Sequence, residues 1–287
     1  MAEIVADLSD VSQPFTLKSR IIQILMDIYK QAGTFLYNQH VKQTLMDPLP
    51  AELAPKTLDE AYLIQKEYLH ELAASRGPVA GYKLAYTTET MQLRARLNEP
   101  CAGKILAKTI MHSPAHLHCR DYVKLGIECE IAVKLSSDLT PSELPFTRQI
   151  IETHVCSVMP AFEIVDFRTP DLQGIDRALT AISTNISNAG VILGDPIREW
   201  NNLDLAAARG NMKINGDLVG EGFGYDIMGH PFEPLVWLAN KLCQQGETIP
   251  QDSIIITGSI VTPKYLKQGD NATISVEHLG EAHLTVV

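Results

Sequence analysis

The sequence predicts an α+β protein, with a helical N-terminal part followed by many short strands. Three observations carry this. Ile21, Ile24, Leu25 and Ile28 hold the i, i+3, i+4, i+7 spacing of an amphipathic helix. From residue 79 onward, apolar and polar residues alternate over short runs that do not interleave regularly with helices. Within that region, Gly126–Leu135 places apolar side chains at 127, 129, 131, 133 and 135, the period of a strand with one buried face.

In chain order, residues 1–16 read as an irregular arm and roughly 17–38 as a helix. Met46–Pro55 carries three prolines in ten residues and cannot be a regular element. Thr57-Leu-Asp-Glu60 reads as a capping box opening a second helix that stops at Arg76-Gly77-Pro78. Residues 1–78 are thus expected to form an arm and helical cap, and 79–287 a β-rich catalytic domain. Val79–Tyr86 is its first strand, Thr88 caps a short helix to about Leu97, and Asn98–Gly103 reads as loop. The stretch around His112, His116 and His118 reads as a Pro-containing loop, 123–135 as the central strand, and 146–156 as helix. Met159–Arg168 and Ser187–Leu193 read as strands, and Asn215-Gly216 as the turn of a hairpin. Pro231–Gln245 is a helix stopped by Gly246, and Ser253–Ser259 a buried strand ending in a small polar loop. Strands at about 272–278 and 282–287 close the chain.

The net charge of −10 argues against nucleic acid or an anionic membrane as the main partner. Five cysteines, with no C-x-x-C, make neither a disulfide framework nor a zinc ribbon. They fit a reducing cytoplasm, and the acidic N-terminus lacks the pattern of a secretory signal.

Glu128 and Glu130 occupy the register opposite the apolar positions of the central strand and stand side by side. Adjacent like charges repel. They serve either a hard cation, which prefers carboxylate oxygens, or a solvated strand face carrying gatekeeper charges. Glu163 lies on an apolar strand, where a carboxylate needs a partner. That partner is a metal shared with the pair, or else Arg168 or a lysine. Lys83 sits in the apolar run Gly-Tyr-Lys-Leu-Ala-Tyr, as an acid/base group or as an ion-paired side chain. Thr257-Gly258-Ser259 offers hydroxyls and N–H groups for a substrate carboxylate, or a simple turn. His112, His116, His118 and Cys119 lack a second ligand cluster at structural-zinc spacing, so zinc is rejected.

Seven stretches in order resemble the fumarylacetoacetate hydrolase superfamily, in its 2-keto-4-pentenoate hydratase / 4-oxalocrotonate decarboxylase branch. They are Gly81–Thr88 with Met91-Gln92, Glu99-Pro100 through Gly103, Gly126–Ala132, Pro160–Arg168, Asn185–Gly194, Gly229-His-Pro with Trp237–Leu242, and Thr257-Gly-Ser259. The resemblance implies a mixed β-sandwich roll of that superfamily's C-terminal type, with an N-terminal helical part. It implies a Mg²⁺ or Mn²⁺ site at Glu128, Glu130 and Glu163, Lys83 as the acid/base residue, and Thr257 and Ser259 near the substrate carboxylate. It also implies a small-molecule 2-oxo acid substrate, a homo-oligomer, and a complex with a neighbouring pathway enzyme as a further option.

The activity implied is that of a divalent-metal-dependent lyase on a short unsaturated 2-oxo or 2-hydroxy acid, in the catabolism of aromatic compounds. Hydration of a dienoate comes first and decarboxylation second. An acylpyruvate C–C hydrolase would need a His–Glu pair that is not evident, and a non-catalytic partner subunit would not need the retained glutamates and Lys83. Three positions depart from the pattern: Cys101 replaces an acidic residue after the Glu-Pro proline, Tyr82 a tryptophan, and Phe167 a small polar residue.

Overall fold

The computed structural model of the protein describes residues 17–287. The expected N-terminal arm, 1–16, lies outside them. Helix α1, Leu17–Val41, packs on α2, Leu58–Arg76, through Tyr29, Ala32 and Leu36 against Ile64, Tyr68 and Leu72. The helices touch at Gly33, where a Cβ would stand 2.5 Å from Glu67 Cβ. Of the amphipathic stripe read from the sequence, Ile28 packs against the same buried cluster. Ile21, Ile24 and Leu25 are exposed, and the buried positions of α1 begin at Tyr29. Thr57 accepts from Glu60 N–H as a cap should, while Glu60 reaches back to Lys56 N rather than to the cap itself. Gly77, at φ 81°, ends α2.

Strands β1 (Val79–Ala85), β2 (Cys101–Leu106), β3 (Ile110–His112), β4 (Ala115–Leu117), β5 (Leu125–Leu135), β6 (Val155–Asp166) and β7 (Asn188–Leu193) follow in order. After them come β8 (Arg209–Ile214), β9 (Asp217–Phe223), β10 (Ile254–Tyr265), β11 (Asn271–Val276) and β12 (Gly280–Val286). They form a seven-stranded sheet, β2-β1-β10-β5-β6-β7-β3, and a five-stranded sheet, β4-β12-β11-β8-β9. Helices α3 (Glu89–Ala95), α4 (Arg148–Thr153), α5 (Gly174–Ser183) and α6 (Glu233–Gln244) lie between strands.

Ile127, Cys129, Ile131 and Val133 of β5 pack into one cluster with Met212, Ile274 and Leu284 of the smaller sheet. This is the sandwich core, and it is the face the alternation predicts. On the other face, Ile105 of β2 meets Val191 and Leu193 of β7, together with Ala132, Ala161 and Ile256. These strands stand far apart in the sheet order, so the large sheet curls on itself and this face lines its concave side. The α+β class and the mixed roll are therefore borne out.

Several local expectations are corrected. The loop read over Asn98–Gly103 stops at Pro100, because Cys101–Leu106 pairs antiparallel with β1 as a strand. Two short strands, β3 and β4, occupy the histidine stretch; β3 pairs with β7 and β4 with β12. Helix α4 ends at Thr153, and Val155 already belongs to β6. β10 does not stop at Ser259 but bulges there and runs on to Tyr265. The hairpin stands as read, with Asn215 at φ 53° and Gly216 at φ 91°.

Candidate functional site

Strand pairing builds the site. On β5 and β6, Glu128 lies directly opposite Glu163, and Glu130 is two residues on, on the same face. One carboxylate oxygen from each of the three lies within 4.8 Å of the others, the one such group of potential metal ligands among the described residues. Glu130 and Glu163 are 0 % exposed and Glu128 is partly buried. A solvated face of gatekeeper charges is thereby excluded.

Lys83 enters from β1, where its partners are Ile256 on β10 and Gly103 on β2. Its Nζ lies 3.0 Å from Glu163 Oε2. Gly103 leaves the room for this: a Cβ there would stand 2.9 Å from Lys83 Cγ and 3.0 Å from Asn185 Oδ1. The lysine alternative for Glu163 is thus realised, and the arginine one is not. Arg168 pairs with Asp166 at 2.6 Å, in the other register of β6.

Gly258 N–H donates to Glu130 Oε2 at 2.7 Å, from the bulge in β10. Gly258 holds φ 125°, and a Cβ would press on Thr87 Oγ1 at 2.6 Å, so only glycine serves here. Thr257 is fully buried, and its hydroxyl donates to the Ile131 carbonyl. Ser259 lies opposite Glu130 in the ladder, and its hydroxyl donates to the Val261 carbonyl. The Thr257 proton is therefore used within the chain, while the single Ser259 proton is within reach of both the Val261 carbonyl and the Glu128 carboxylate.

Asn188, which the sequence reading did not single out, donates its Nδ2 to Glu163 Oε1 at 2.9 Å. It follows Asn185, Ile186 and Ser187, all left-handed, with φ 57°, 52° and 58°. A β-branched residue there is strained. Asn185 holds the segment by exchanging hydrogen bonds with Lys104: Lys104 N to Oδ1 at 2.7 Å and Nδ2 to Lys104 O at 2.8 Å. The signal was Asn185-x-x-Asn188 inside a stretch already noted, since Asn tolerates left-handed backbone better than most residues.

The charges do not balance: three carboxylates face one ammonium. Burial, then the charge of Glu163, push the Glu128 carboxyl up to about 7, against the pull of Lys83 and the Ser259 hydroxyl. Burial and its two carboxylate neighbours push Glu130 well above the usual range. Burial works to lower Lys83, but Glu163, Glu128 and Glu130 outweigh it and hold the ammonium above the ordinary lysine range. Glu130 Oε1 is buried with no hydrogen-bond partner, and Glu163 Oε2 faces only Lys83. A buried acceptor left this way costs free energy. Oxygen-only donors with an unsatisfied charge fit a hard divalent cation.

A pH dependence follows. In EDTA the folded chain binds more protons than the unfolded one between about pH 4.5 and about 7, so stability falls as pH rises through that window. The raised Lys83 pKa adds nothing there, because its contribution is lost only as pH rises through that alkaline value. Calorimetry in EDTA at about pH 5.5 and about pH 8 should show a Tm lower at the higher pH, with a smaller difference in Glu128→Gln. Mg²⁺ competes with these protons, so its stabilisation should be larger at the higher pH.

The positions that depart from the pattern are structurally occupied. The Cys101 thiol is buried, which pushes it up to about 12 despite the Tyr62 hydroxyl beside it, so it is no nucleophile at neutral pH. Glu99 is tied to α6, accepting from Trp237 Nε1 at 3.1 Å and Lys241 Nζ at 2.7 Å. Tyr82 turns into the sandwich core. Phe167 stands edge-on to Tyr265, with ring centroids 5.6 Å apart, and lies with Val165 against Gly126. It therefore shares the Glu163 face, as the alternation predicts. His112, His116 and His118 are exposed and belong to no group of potential metal ligands.

Residues 83–287 match the family described as fumarylacetoacetate (FAA) hydrolase C-terminal. The chain belongs to this family. The match begins at Lys83 and spans all three glutamates. The resemblance drawn from the seven stretches is thus borne out. Among curated relatives of this fumarylacetoacetate hydrolase family member, the 2-oxo-hept-4-ene-1,7-dioate hydratase of Escherichia coli is 28% identical over 228 residues, covering 78% of this chain and 85% of that one. The 4-oxalocrotonate decarboxylase of Pseudomonas putida is 27% identical over 224 residues, covering 78% and 83%. The solved 4-oxalocrotonate decarboxylase of Pseudomonas putida G7, complexed with magnesium and adipate, superposes with a TM-score of 0.82 at 21% identity, covering 96% of this chain and 100% of that one. That last likeness is one of fold. Among the described residues, no helix is long and apolar enough to cross a membrane.

Proposed function

We propose that this chain is a divalent-metal-dependent lyase acting on a short unsaturated 2-oxo or 2-hydroxy acid, with hydration of a dienoate as its reaction and aromatic-compound catabolism as its setting. The observation that carries this is the buried set Glu128, Glu130 and Glu163 facing Lys83, with Glu130 Oε1 left without a partner. The hydratases and decarboxylases among the relatives act on acids of this kind, as their names state.

Glu128, Glu130 and Glu163 would hold Mg²⁺ or Mn²⁺. When bound, such an ion supplies Lewis-acid stabilisation of negative charge on a substrate oxygen. The chain supplies the rest. Without a cation the three glutamates hold Lys83 as the ammonium, the form that donates a proton. A dienol that ketonises loses a proton from oxygen and gains one at carbon, and Lys83 Nζ is the group placed to relay it. Asn188 and the Gly258 N–H fix Glu163 and Glu130, so the carboxylates need no reorientation. Ser259 can turn its hydroxyl from the Val261 carbonyl toward a substrate carboxylate. Thr257 supports the bulge from behind. The apolar plug of Ala132, Ala161 and Ile256 closes the inner end of the site to water.

A second reading is decarboxylation. It is favoured by Cys101, which leaves no free acid where hydratase relatives often carry one, and by Glu99 being tied to Trp237 and Lys241. The part up to residue 78 would cap the β-rich part from 79 onward; Gln65 already bonds across, its Nε2 reaching the carbonyls of Ala102 and Ile182. The exposed stripe of Leu17, Ile21, Ile24 and Leu25 supports a homo-oligomer.

The deciding experiment gives the Mg²⁺-loaded protein 2-hydroxypenta-2,4-dienoate and 2-oxohex-3-enedioate, followed by ultraviolet absorbance with EDTA controls. EDTA-sensitive loss of the dienoate to a hydroxy-oxo acid is the expected result. CO₂ release from the diacid instead would make decarboxylation the reaction. Turnover of neither would overturn the lyase reading.

A further inference from the structure

A second polar cleft, of about 450 Å³, opens where α1, α2 and the β7–β3 edge meet. Asp166 and Arg168 form part of its wall, in the register of β6 opposite to Glu163. It opens on the other side of the sheet from the carboxylate cluster, with Asn188, which donates to Glu163, standing between the two, and its wall carries Arg76, Lys108 and Arg168 against Asp121 and Asp166.

The protons in its wall can be counted. Arg76 Nη2 lies 2.9 Å from His40 Nε2. Arginine only donates, so Nε2 accepts and the single ring proton sits on Nδ1. His40 is held neutral by burial and by Arg76 and Arg168 nearby. Nδ1 lies 2.7 Å from the Tyr68 hydroxyl oxygen and donates to it. Tyr68 is buried, and its own hydroxyl proton then has no acceptor among the described residues.

The buried counter-charge is used up as well. Asp166 accepts from Arg168 Nε and from the N–H groups of Val123 and Lys124. Arg168 also donates to the His40 carbonyl. Nothing on Asp166 remains for Arg76, which has no carboxylate partner among the described residues. Lys108, at the rim, donates only to the Ser75 carbonyl. Asp121, also in the wall, is exposed and contacts only Arg120, at 4.0 Å. The cleft thus presents two cations without a carboxylate partner, Arg76 and Lys108, and one buried, unused O–H donor.

We propose that this cleft is a second, non-catalytic site for a small oxyanion, a carboxylate or a phosphate, gripped by Arg76, Lys108 and Tyr68. The size suits a small molecule. A planar guanidinium beside an O–H donor matches the paired acceptors of such a group. Because His40 is on α1, Tyr68 and Arg76 on α2 and Asp166 on β6, an anion here ties the helical part to the sheet.

The test is titration calorimetry of the full chain in EDTA with inorganic phosphate and, separately, with pyruvate. Glu163→Gln, titrated alongside, separates the two places: binding in the cleft is expected to persist in it, and loss of binding in that variant would assign the anion to the carboxylate cluster and overturn the proposal. Saturable binding of one probe at one site per chain is expected, and which probe binds assigns the source. Arg76→Gln should weaken it by about tenfold or more, as for a lost charged hydrogen bond, and Tyr68→Phe by severalfold. Should Arg76→Gln fail to fold by circular dichroism, the exposed Lys108→Gln serves in its place. Binding of neither probe, or unchanged affinity in a folded Arg76, Tyr68 or Lys108 variant, would overturn the proposal.

Discussion

Glu163→Gln is expected to abolish metal-dependent turnover and to weaken Mn²⁺ binding by about a hundredfold or more, while the fold survives. Loss of a residue that merely orients a ligand already costs about 10- to 100-fold in metal affinity, and Glu163 would be a ligand itself. The amide keeps the shape of the side chain. Its oxygen can still accept from Asn188, so the β6–β7 ladder is undisturbed. Its NH₂, however, would face the Lys83 ammonium where Glu163 Oε2 now lies 3.0 Å away, donor against donor. Glu128→Gln should behave alike in turnover, with a milder effect on Lys83, because Glu163 is the nearest counter-charge. Calorimetry with Mn²⁺, the dienoate assay and circular dichroism separate the outcomes. Full activity in both variants would remove the three glutamates from the mechanism.

The sequence displayed the carboxylate face for a simple reason. Strand alternation is local, and a run with apolar side chains at 127, 129, 131, 133 and 135 fixes which way Glu128 and Glu130 point. The pairing of Glu128 with Glu163 is not local. It depends on the register of β5 against β6, set across a connection of some twenty residues. Only the chemistry of a lone carboxylate on an apolar strand hinted at it. The burial that separates this carboxylate set from gatekeeper charges arises from the curl of the sheet, which joins β2 to β7, and no short window of sequence carries that.

The errors have the same origin. β2 is a strand because β1 lies beside it, not because Cys101–Leu106 has a strong strand pattern. β10 runs past Ser259 because a bulge absorbs the extra residue, and that bulge is what delivers the Gly258 N–H to Glu130. The feature that misled the reading is therefore part of the site. Asn188 was passed over because its role needs the strained backbone of Asn185–Ser187, which shows only in three dimensions. The α1 stripe was legible as amphipathic, but periodicity reports that a face is apolar, not what covers it.

Lys83→Met is expected to lower kcat by about 10²- to 10⁴-fold, the usual contribution of a positioned general acid or base, and to leave divalent-cation binding intact. All three carboxylates remain, and a repelling positive charge is gone, so Mn²⁺ affinity should hold or rise. The opposite holds without metal. Lys83 supplies the one positive charge against Glu128, Glu130 and Glu163, and breaking a buried pair from one side costs about 3–5 kcal/mol. Tm in EDTA should therefore drop, and Mg²⁺ should restore most of it. A structural lysine would give the stability loss alone, with turnover recovered once the metal is bound. An acid/base lysine leaves turnover low in the fully loaded, fully folded protein. Lys83→Arg sharpens the test: it keeps the charge, but a guanidinium does not give up its proton, and the space beside Gly103 is already filled by the lysine stem. Retention of wild-type kcat by the loaded Lys83→Met protein would remove Lys83 from the proton transfer.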